Sequence, residues 1–468
     1  MSHKTGKSFK TYIPKIIKSL NNNSGTTHQS LDVMDDTFRY LLKHLVSVAN
    51  RLSIEDEKKT ITLTEAKSAC ELLFNIEMVK LMNKEGDLAI SRYEKYVSKK
   101  EEEKNSTTTD SKALEKNTKV MKQEKAGLIL SVSLIESYLR DFSNLKISVP
   151  TMLFLTSSME VFIREFLNSS SQEAKNHKRV RISVRDIFIA VESNPLLKQV
   201  TDKLNILYIG VGVVPGIDKR IIESYDQKTK RKRKGLTQTE TVTTETVKTE
   251  ENNDTTKKQK WRPGTVAIRD IKHLQKETDN QLCKSHIKSQ CAKIFKMLNN
   301  DCMITEHSRS ILHNLIERDI VTLFHESNKW CLHAKKTTLT RGDVQEASRV
   351  LNMSVKNLLD IDCFDVFSDP AIARLAKRAG VYRMGKEVCS LVRGIICNQL
   401  YKYISSCVIL KDRMEKKIIN PYILKTSLSV YHNINIACPN LSSKKTKKNT
   451  DLSSQTNNED IVTDTTTV

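Results

Sequence analysis

Glycine and proline are scarce in this chain, 13 and 8 in 468 residues, and aromatic residues make up only 6%. Sheet-rich folds consume turn residues and aromatic or β-branched strands, so the shortage favours helices. Long apolar runs are missing too. The longest, Leu204 to Ile217, is broken by glycine and proline and is too short to cross a membrane. The amino terminus, MSHKTGKSFK, leads into no apolar core, so no secretory signal is expected. Ten cysteines are scattered without a CxxC pair, which suggests reduced thiols in a nuclear or cytosolic setting. Cys283, His286 and Cys291 lack a closed four-ligand spacing, so neither a metal nor another cofactor is expected. No nucleophile set and no cluster of carboxylates is apparent, which argues against an enzyme.

What is present is positive charge. Lys+Arg 77 against Asp+Glu 55 gives a formal charge of +22 and a pI near 9.4. That excess points to a polyanionic partner, nucleic acid ahead of membrane. The length is enough for about three or four small domains.

Four stretches share one layout. Amphipathic spacing predicts long helices over Leu31–Leu52, from Pro150, over roughly Thr305–His333 and over Val388–Arg413. Each is followed by a short loop that reads basic, any, variable, aliphatic, then Ser/Thr/Asn: Lys58–Thr62, Arg179–Ser183, Lys336–Thr340 and Lys416–Asn420. The last residue of each loop suits a helix N-cap, and Glu65, Asp186 and Asp343 stand three positions on, as a capping box requires. In the fourth, Pro421 occupies the first helical position. A long helix flanked by two short ones cannot bury its apolar stripe alone, so such units should pair. Head-to-tail pairing would set the first loop of one unit beside the second loop of its partner, presenting backbone N–H groups and cations to phosphate.

The motifs carry a resemblance as well as a pattern. The stretch Trp261–Val350, with RPGTVA, then the long helix, then HAK at 333–335, resembles core histone 3. TIT-x-x-E from Thr60 and the following helix over Glu77–Tyr96 resemble histone 2B. Lys125-Ala126-Gly127-Leu128 and the segment Gly210–Ile217 resemble the start and the docking tail of histone 2A. Pro370-Ala371-Ile372 and Leu375–Val381 resemble the start of histone 4. The arrangement as a whole resembles the fused histone doublets and quadruplets of large DNA viruses. The resemblance implies an all-α chain of four histone folds, paired head to tail as two handshake heterodimers. The expected division is a 2B-like unit over 1–96, a linker over 97–124 and a 2A-like unit over 125–222. A basic, Thr/Glu-rich linker follows over 223–260, then a 3-like unit over 261–352. A linker over 353–369, a 4-like unit over 370–439 and a disordered tail over 440–468 complete it.

The resemblance also implies site residues. Arg181 and Arg383 match arginines that enter the DNA minor groove. Arg262, Thr265, Arg269 and Lys276 match the DNA-contacting start of histone 3. Lys59, Thr60, Lys336, Thr338, Lys416 and Lys417 match phosphate-facing loops, and Arg140 and Arg179 are counted with them. Met303 and Cys283 stand where the histone 3 pattern has arginine, and Ala373 replaces a cation, so a weaker grip is expected there. Trp330, His333, Asp343 and Arg349 fall where two copies of histone 3 meet. Glu77, Glu85, Glu160 and Glu165 match the acidic surface of the 2A/2B pair, whereas Asn168, Asn194, Pro195 and Leu196 replace its other acids.

The implied function is sequence-tolerant wrapping and compaction of double-stranded DNA, two copies of the chain forming a nucleosome-like core. Expected partners are DNA, a second copy through the 3-like unit, and host or viral chromatin factors, with no membrane. The expected location is the host nucleus or a viral replication compartment, and the virion. A histone-fold scaffold of a transcription-factor-like complex, which binds partners without wrapping DNA, is the alternative.

Overall fold

A computed structural model describes residues 8–20, 24–106, 121–216, 265–299, 302–353 and 367–439. Within them one design recurs four times: a short helix, a two-residue strand, a long helix, a second two-residue strand and a short helix. In the first unit these are α1 (Ile13–Ser19), β1 (Gly25–Thr26), α2 (His28–Glu55), β2 (Thr60–Ile61) and α3 (Leu63–Leu73). Helix α4 (Ile76–Ser106) follows, and then α5 (Lys122–Ala126). The second unit holds α6 (Val132–Phe142), β3 (Lys146–Ile147), α7 (Val149–Asn176), β4 (Arg181–Ile182) and α8 (Val184–Ser193), extended by α9 (Pro195–Lys203) and β5 (Ile206–Tyr208). In the third, α10 (Thr265–Lys276) precedes α11 (Lys284–Met297), β6 (Met303–Ile304), α12 (Glu306–His333), β7 (Thr338–Leu339) and α13 (Arg341–Val350). The fourth comprises α14 (Asp369–Arg378), β8 (Arg383–Met384), α15 (Glu387–Arg413), β9 (Ile418–Ile419), α16 (Pro421–His432) and β10 (Asn435–Ala437).

Local chemistry sets these boundaries. Thr27, Ser148 and Thr305 cap three of the long helices, each side chain accepting from the backbone N–H three residues on at 3.2–3.3 Å. The capping boxes at Thr62/Glu65, Ser183/Asp186 and Thr340/Asp343 are all formed. Every long helix ends the same way. Glu57, Lys178, Lys335 and Glu415 take positive φ, and the next residue's N–H closes back on the helix at 2.8–3.1 Å. Glycine normally fills such positions; here each holds a charged, exposed residue, at a cost of about 1 kcal/mol apiece.

Two departures from the sequence reading concern the 97–124 linker. Helix α4 runs on to Ser106, and α5 starts at Lys122. Lys and Glu are good helix formers, so a solvated helix and a solvated coil look alike in polarity when no apolar stripe marks the difference. The expected linker at 223–260 and tail at 440–468 lie outside the described residues, as does most of 353–369; of the last, Phe367 is buried and Asp369 opens α14.

Pairing is head to tail. β1 lies parallel to β4, β2 to β3, β6 to β9 and β7 to β8, so each first loop meets its partner unit's second loop. One contact repeats at all four junctions. The residue after the first-loop strand donates its N–H to the buried aliphatic residue of the opposite strand: Thr27 to Ile182, Ser148 to Ile61, Thr305 to Ile419 and Gly385 to Leu339, at 2.9–3.3 Å. The two pairs have different interiors. The first is aromatic, with Phe38 edge-on to Phe166 at 5.4 Å and to Phe162 at 6.3 Å. The second is aliphatic and thiol-lined, with Cys291, Cys331, Cys389, Cys397 and Cys407 as small hydrophobes. Burial pushes the Cys291 thiol up to about 12 and that of Cys407 to about 11, which makes both unreactive.

The pairs are stitched together by chain ends far apart in sequence. β5 and β10 form a parallel ladder, Ile206 opposite Asn435 through Tyr208 opposite Ala437. Tyr40 donates to the Ile436 carbonyl at 3.2 Å, and Lys425 pairs with Asp36 at 2.7 Å. Beyond β5 the chain is clamped by Arg185, which donates to the carbonyls of Val211, Val213 and Gln275. Gly212 sits at φ +73 with the Glu277 carbonyl 2.9 Å from where a Cβ would stand, so only glycine fits.

Gly86 faces a similar constraint, since a Cβ there would lie 2.4 Å from the Phe154 ring where α4 crosses α7. Gly86→Ala is expected to cost about 1–2 kcal/mol through overpacking, read as a lower urea midpoint. An unchanged midpoint would show that the two helices separate freely.

A cavity of about 650 Å³ opens between α12, α15 and α16, lined by Arg318, Asp319, Lys402, Tyr403 and His432 among others. Tyr403 donates to Asp319 at 2.7 Å, yet burial raises the Asp319 carboxyl to about 6. A carboxyl raised in the folded state binds more protons than its unfolded counterpart, so stability falls as pH climbs from about 4 to 6. Asp319→Asn should remove that slope and gain on the order of 1 kcal/mol at pH 7. Urea titrations of both proteins at pH 4.5 and 7 test this; parallel pH profiles would refute it.

Candidate nucleic-acid interface

The four loop junctions put specific pairs of side chains next to one another. Gly25 stands opposite Arg181, Thr60 opposite Lys146, Thr338 opposite Arg383, and Met303 opposite Ile418. The inner residue of each second loop, Ile182, Ile61, Leu339 or Ile419, is buried. Period-two alternation therefore turns its neighbour outward. Arg181, Lys146 and Arg383 are all exposed, and the Arg383 guanidinium rests 5.4 Å from the Tyr382 ring centroid. Three junctions thus combine an outward cation with a small or hydroxyl-bearing partner, immediately before the amino termini of two capped or paired helices. Charge, a short hydroxyl and the positive ends of helix dipoles together suit a phosphodiester backbone.

Lys146 is not among the residues that the sequence singles out. The repeat is legible in the second loops only, and the first loops share no common residue pattern. The signal is available only through register, since Lys146 becomes a candidate once Thr60 is known to lie against it.

The remaining sequence candidates divide. Lys59, Lys416 and Lys417 are exposed beside the junctions, and Arg269 and Lys276 are exposed on α10, which Thr265 begins. Arg262 lies outside the described residues. Arg179 and Lys336 have another task. Arg179 reaches Asp186 at 3.2 Å and Lys336 lies 3.7 Å from Asp343, as Lys58 meets Glu65 at 2.5 Å. In three units the first loop cation thus pairs with the acid of the capping box. Against the cost of burial, hydrogen bonds from Lys58 and Thr62 hold Glu65 at about 2. The fourth unit has Ile423 in place of that acid, so Lys416 has no such partner within its own cap. Arg140 pairs with Glu136 one turn earlier, an exposed contact of small energetic weight.

The core histone domain, common to histones 2A, 2B, 3 and 4, matches residues 1–72 and 263–350. Those spans hold α1 to α3 and α10 to α13, the first and third repeats. The chain carries histone folds. A solved histone from Methanopyrus kandleri is 17% identical over 32% of this chain and 93% of its own, with a TM-score of 0.27.

Of the residues expected where two copies meet, Trp330 and His333 lie at the end of α12 and Arg349 at the end of α13. Trp330 is 42% exposed near the end of α12, with His333 exposed one turn on and Val350 exposed at the end of α13. Arg349 shares this end but is paired with Glu346 at 2.7 Å. Asp343, expected at the same contact, is drawn inward. It accepts from the Thr340 N–H at 2.9 Å and hydroxyl at 2.6 Å and is 7% exposed, because the helix start needs an acceptor there.

The expected acidic surface is also reduced. Glu160 is 1% exposed and accepts from the N–H groups of Ile129 and Leu130 at 2.9 and 3.1 Å, while Arg164 pairs with it. It fixes the turn before α6 instead of facing solvent. Glu165 is half-buried and holds Asn194 at 3.0 Å, and Glu85 is half-buried too, which leaves Glu77 on α4 as the exposed acid of the four.

Proposed function

We propose that this chain packages double-stranded DNA without sequence readout, as a fused histone-fold protein in which one chain supplies two handshake pairs. The observation that carries this reading is the recurrence of an exposed cation beside a small or hydroxyl residue at three register-paired loop junctions. A net charge of +22 supplies the long-range attraction. Arg269 and Lys276 on α10 extend the same cationic surface. In this reading the Trp330–Val350 face joins two chains, giving a nucleosome-like particle that acts wherever the DNA is compacted, in a nucleus, a viral replication compartment or a virion.

The test is assembly of the purified chain on long DNA, followed by micrococcal nuclease digestion and mass measurement of the product. One discrete protected length at or below roughly 147 bp, with two chains per particle, is the expected result. Trp330→Glu should reduce the particle to one chain and shorten protection by about half. A smear without protection would refute packaging and favour a scaffold that holds protein partners through its helices.

A further inference from the structure

The fourth loop junction differs in kind from the other three. Where those present Arg181, Lys146 and Arg383, this one presents Met303 and Ile418, which are register partners on adjacent parallel strands. Met303 is 70% exposed and Ile418 46%, while Ile419 beside it is buried. Two apolar side chains therefore project together from a two-strand base. That base is held by the Thr305 N–H on the Ile419 carbonyl at 3.1 Å and the Ser308 hydroxyl on the same carbonyl at 3.2 Å. Cys302 adds contacts to the Met303 and Lys417 carbonyls. Lys416 and Lys417 immediately precede Ile418 and are exposed.

We propose that Met303 and Ile418 form an apolar wedge that enters the minor groove of bound duplex DNA and partly unstacks one base step; this rests on the packaging reading above. The occupant follows from charge and position. Two exposed cations next to an exposed apolar pair call for a polyanion with an apolar interior. At each of the three other junctions one member of the register pair is an outward cation, Arg181 in the place of Ile418 and Lys146 and Arg383 in that of Met303, so the same ligand is met at all four. Stacked bases between two phosphate strands meet both demands, and Met and Ile are among the side chains that insert between base steps. Unstacking is cheapest at pyrimidine–purine steps, TA and CA/TG. The wedge thus gives an otherwise tolerant binder a preference for flexible steps at one fixed place along the bound DNA. It also replaces a phosphate-neutralising contact by one insensitive to salt.

The experiment assembles the full-length chain on a pool of random duplexes and sequences the nuclease-protected fragments. Wild type should show TA and CA/TG steps enriched roughly two- to fivefold at a fixed distance from the fragment ends. Met303→Ser with Ile418→Ser should abolish that enrichment and leave the salt slope of binding unchanged. Met303→Arg should steepen the slope by about one unit of log affinity per log salt. Independently of any variant, 2-aminopurine at the enriched step should brighten on assembly of the wild-type protein. Protected fragments without step enrichment, or enrichment that survives the double serine variant, overturn the wedge while leaving packaging intact. No protected fragments at all overturn both. A double variant that changes the mass of the particle and keeps the step preference assigns the pair to protein contact, which also overturns it.

Discussion

Glu317→Ala should cost the second core about 3–5 kcal/mol, the penalty for leaving a buried charge without its partner. Glu317 accepts from the Leu282 N–H at 2.6 Å, lies 3.3 Å from His313 Nε2 and 3.5 Å from Arg378, and all three side chains are almost fully buried. Burial lowers the Arg378 pKa while Glu317 works to keep it charged. Arg378 also spans α10 and the turn after it, donating to the carbonyls of Leu274 at 3.3 Å and Asp279 at 2.7 Å. Losing Glu317 therefore strands a guanidinium, orphans a buried N–H and loosens the packing of α10 on α14. Segment-resolved hydrogen exchange in urea should show 282–438 opening first, with 24–106 and 149–204 little changed, because the two interiors are separate clusters. Glu317→Gln keeps the acceptor for Leu282 and should fall between. Glu317→Leu with Arg378→Met removes both charges and should recover much of the loss. If the double variant is no more stable than Glu317→Ala, the stranded charge is not the cause.

The second large effect concerns DNA. Arg181→Ala with Arg383→Ala should weaken binding about 30-fold per chain at 150 mM salt. Each phosphate neutralised contributes a slope of about −0.9 in log affinity against log salt, which is roughly a fivefold loss at that concentration. The slope itself should flatten by nearly two units, and the deficit should shrink as salt rises. Both side chains are exposed and Arg181 and Arg383 project from different pairs, so their losses should add. Arg140→Ala is the matched control. It removes an exposed arginine that is held by Glu136 and is no strand-register partner at any of the four junctions. Filter binding from 50 to 400 mM salt reads both quantities. If Arg140→Ala flattens the slope as much as either junction arginine, binding follows bulk charge and the junctions have no special part.

Capping explains why so much of this fold can be read from the chain. Thr62 with Glu65, Ser183 with Asp186 and Thr340 with Asp343 are four-residue signals whose hydrogen bonds close within one turn, and the long helices carry their apolar stripes in the spacing itself. Four amphipathic units unable to bury their stripes alone make pairing a physical requirement. Head-to-tail order then follows from the placing of a loop at each end of the long helix. The candidate site is half legible: Arg181 and the lysines of the second loops stand in a repeating pattern, and Arg383 is named by the resemblance to histone 4.

The structure alone decided what depends on partners distant in the chain. Lys146 gains its meaning from Thr60, 86 positions earlier, and the pairing of Ile206–Tyr208 with Asn435–Ala437 bridges more than two hundred residues. Glu160 reads as a surface acid through the resemblance to histone 2A, but the Ile129 and Leu130 N–H groups that it satisfies come from another segment. Met303 reads as a missing arginine; only its register opposite Ile418 makes the pair an outward apolar feature. Helix starts and stripes depend on neighbours within about four residues, so composition and spacing suffice to set them. Burial, register and the use of a charge depend on which surfaces meet, and that is settled by packing.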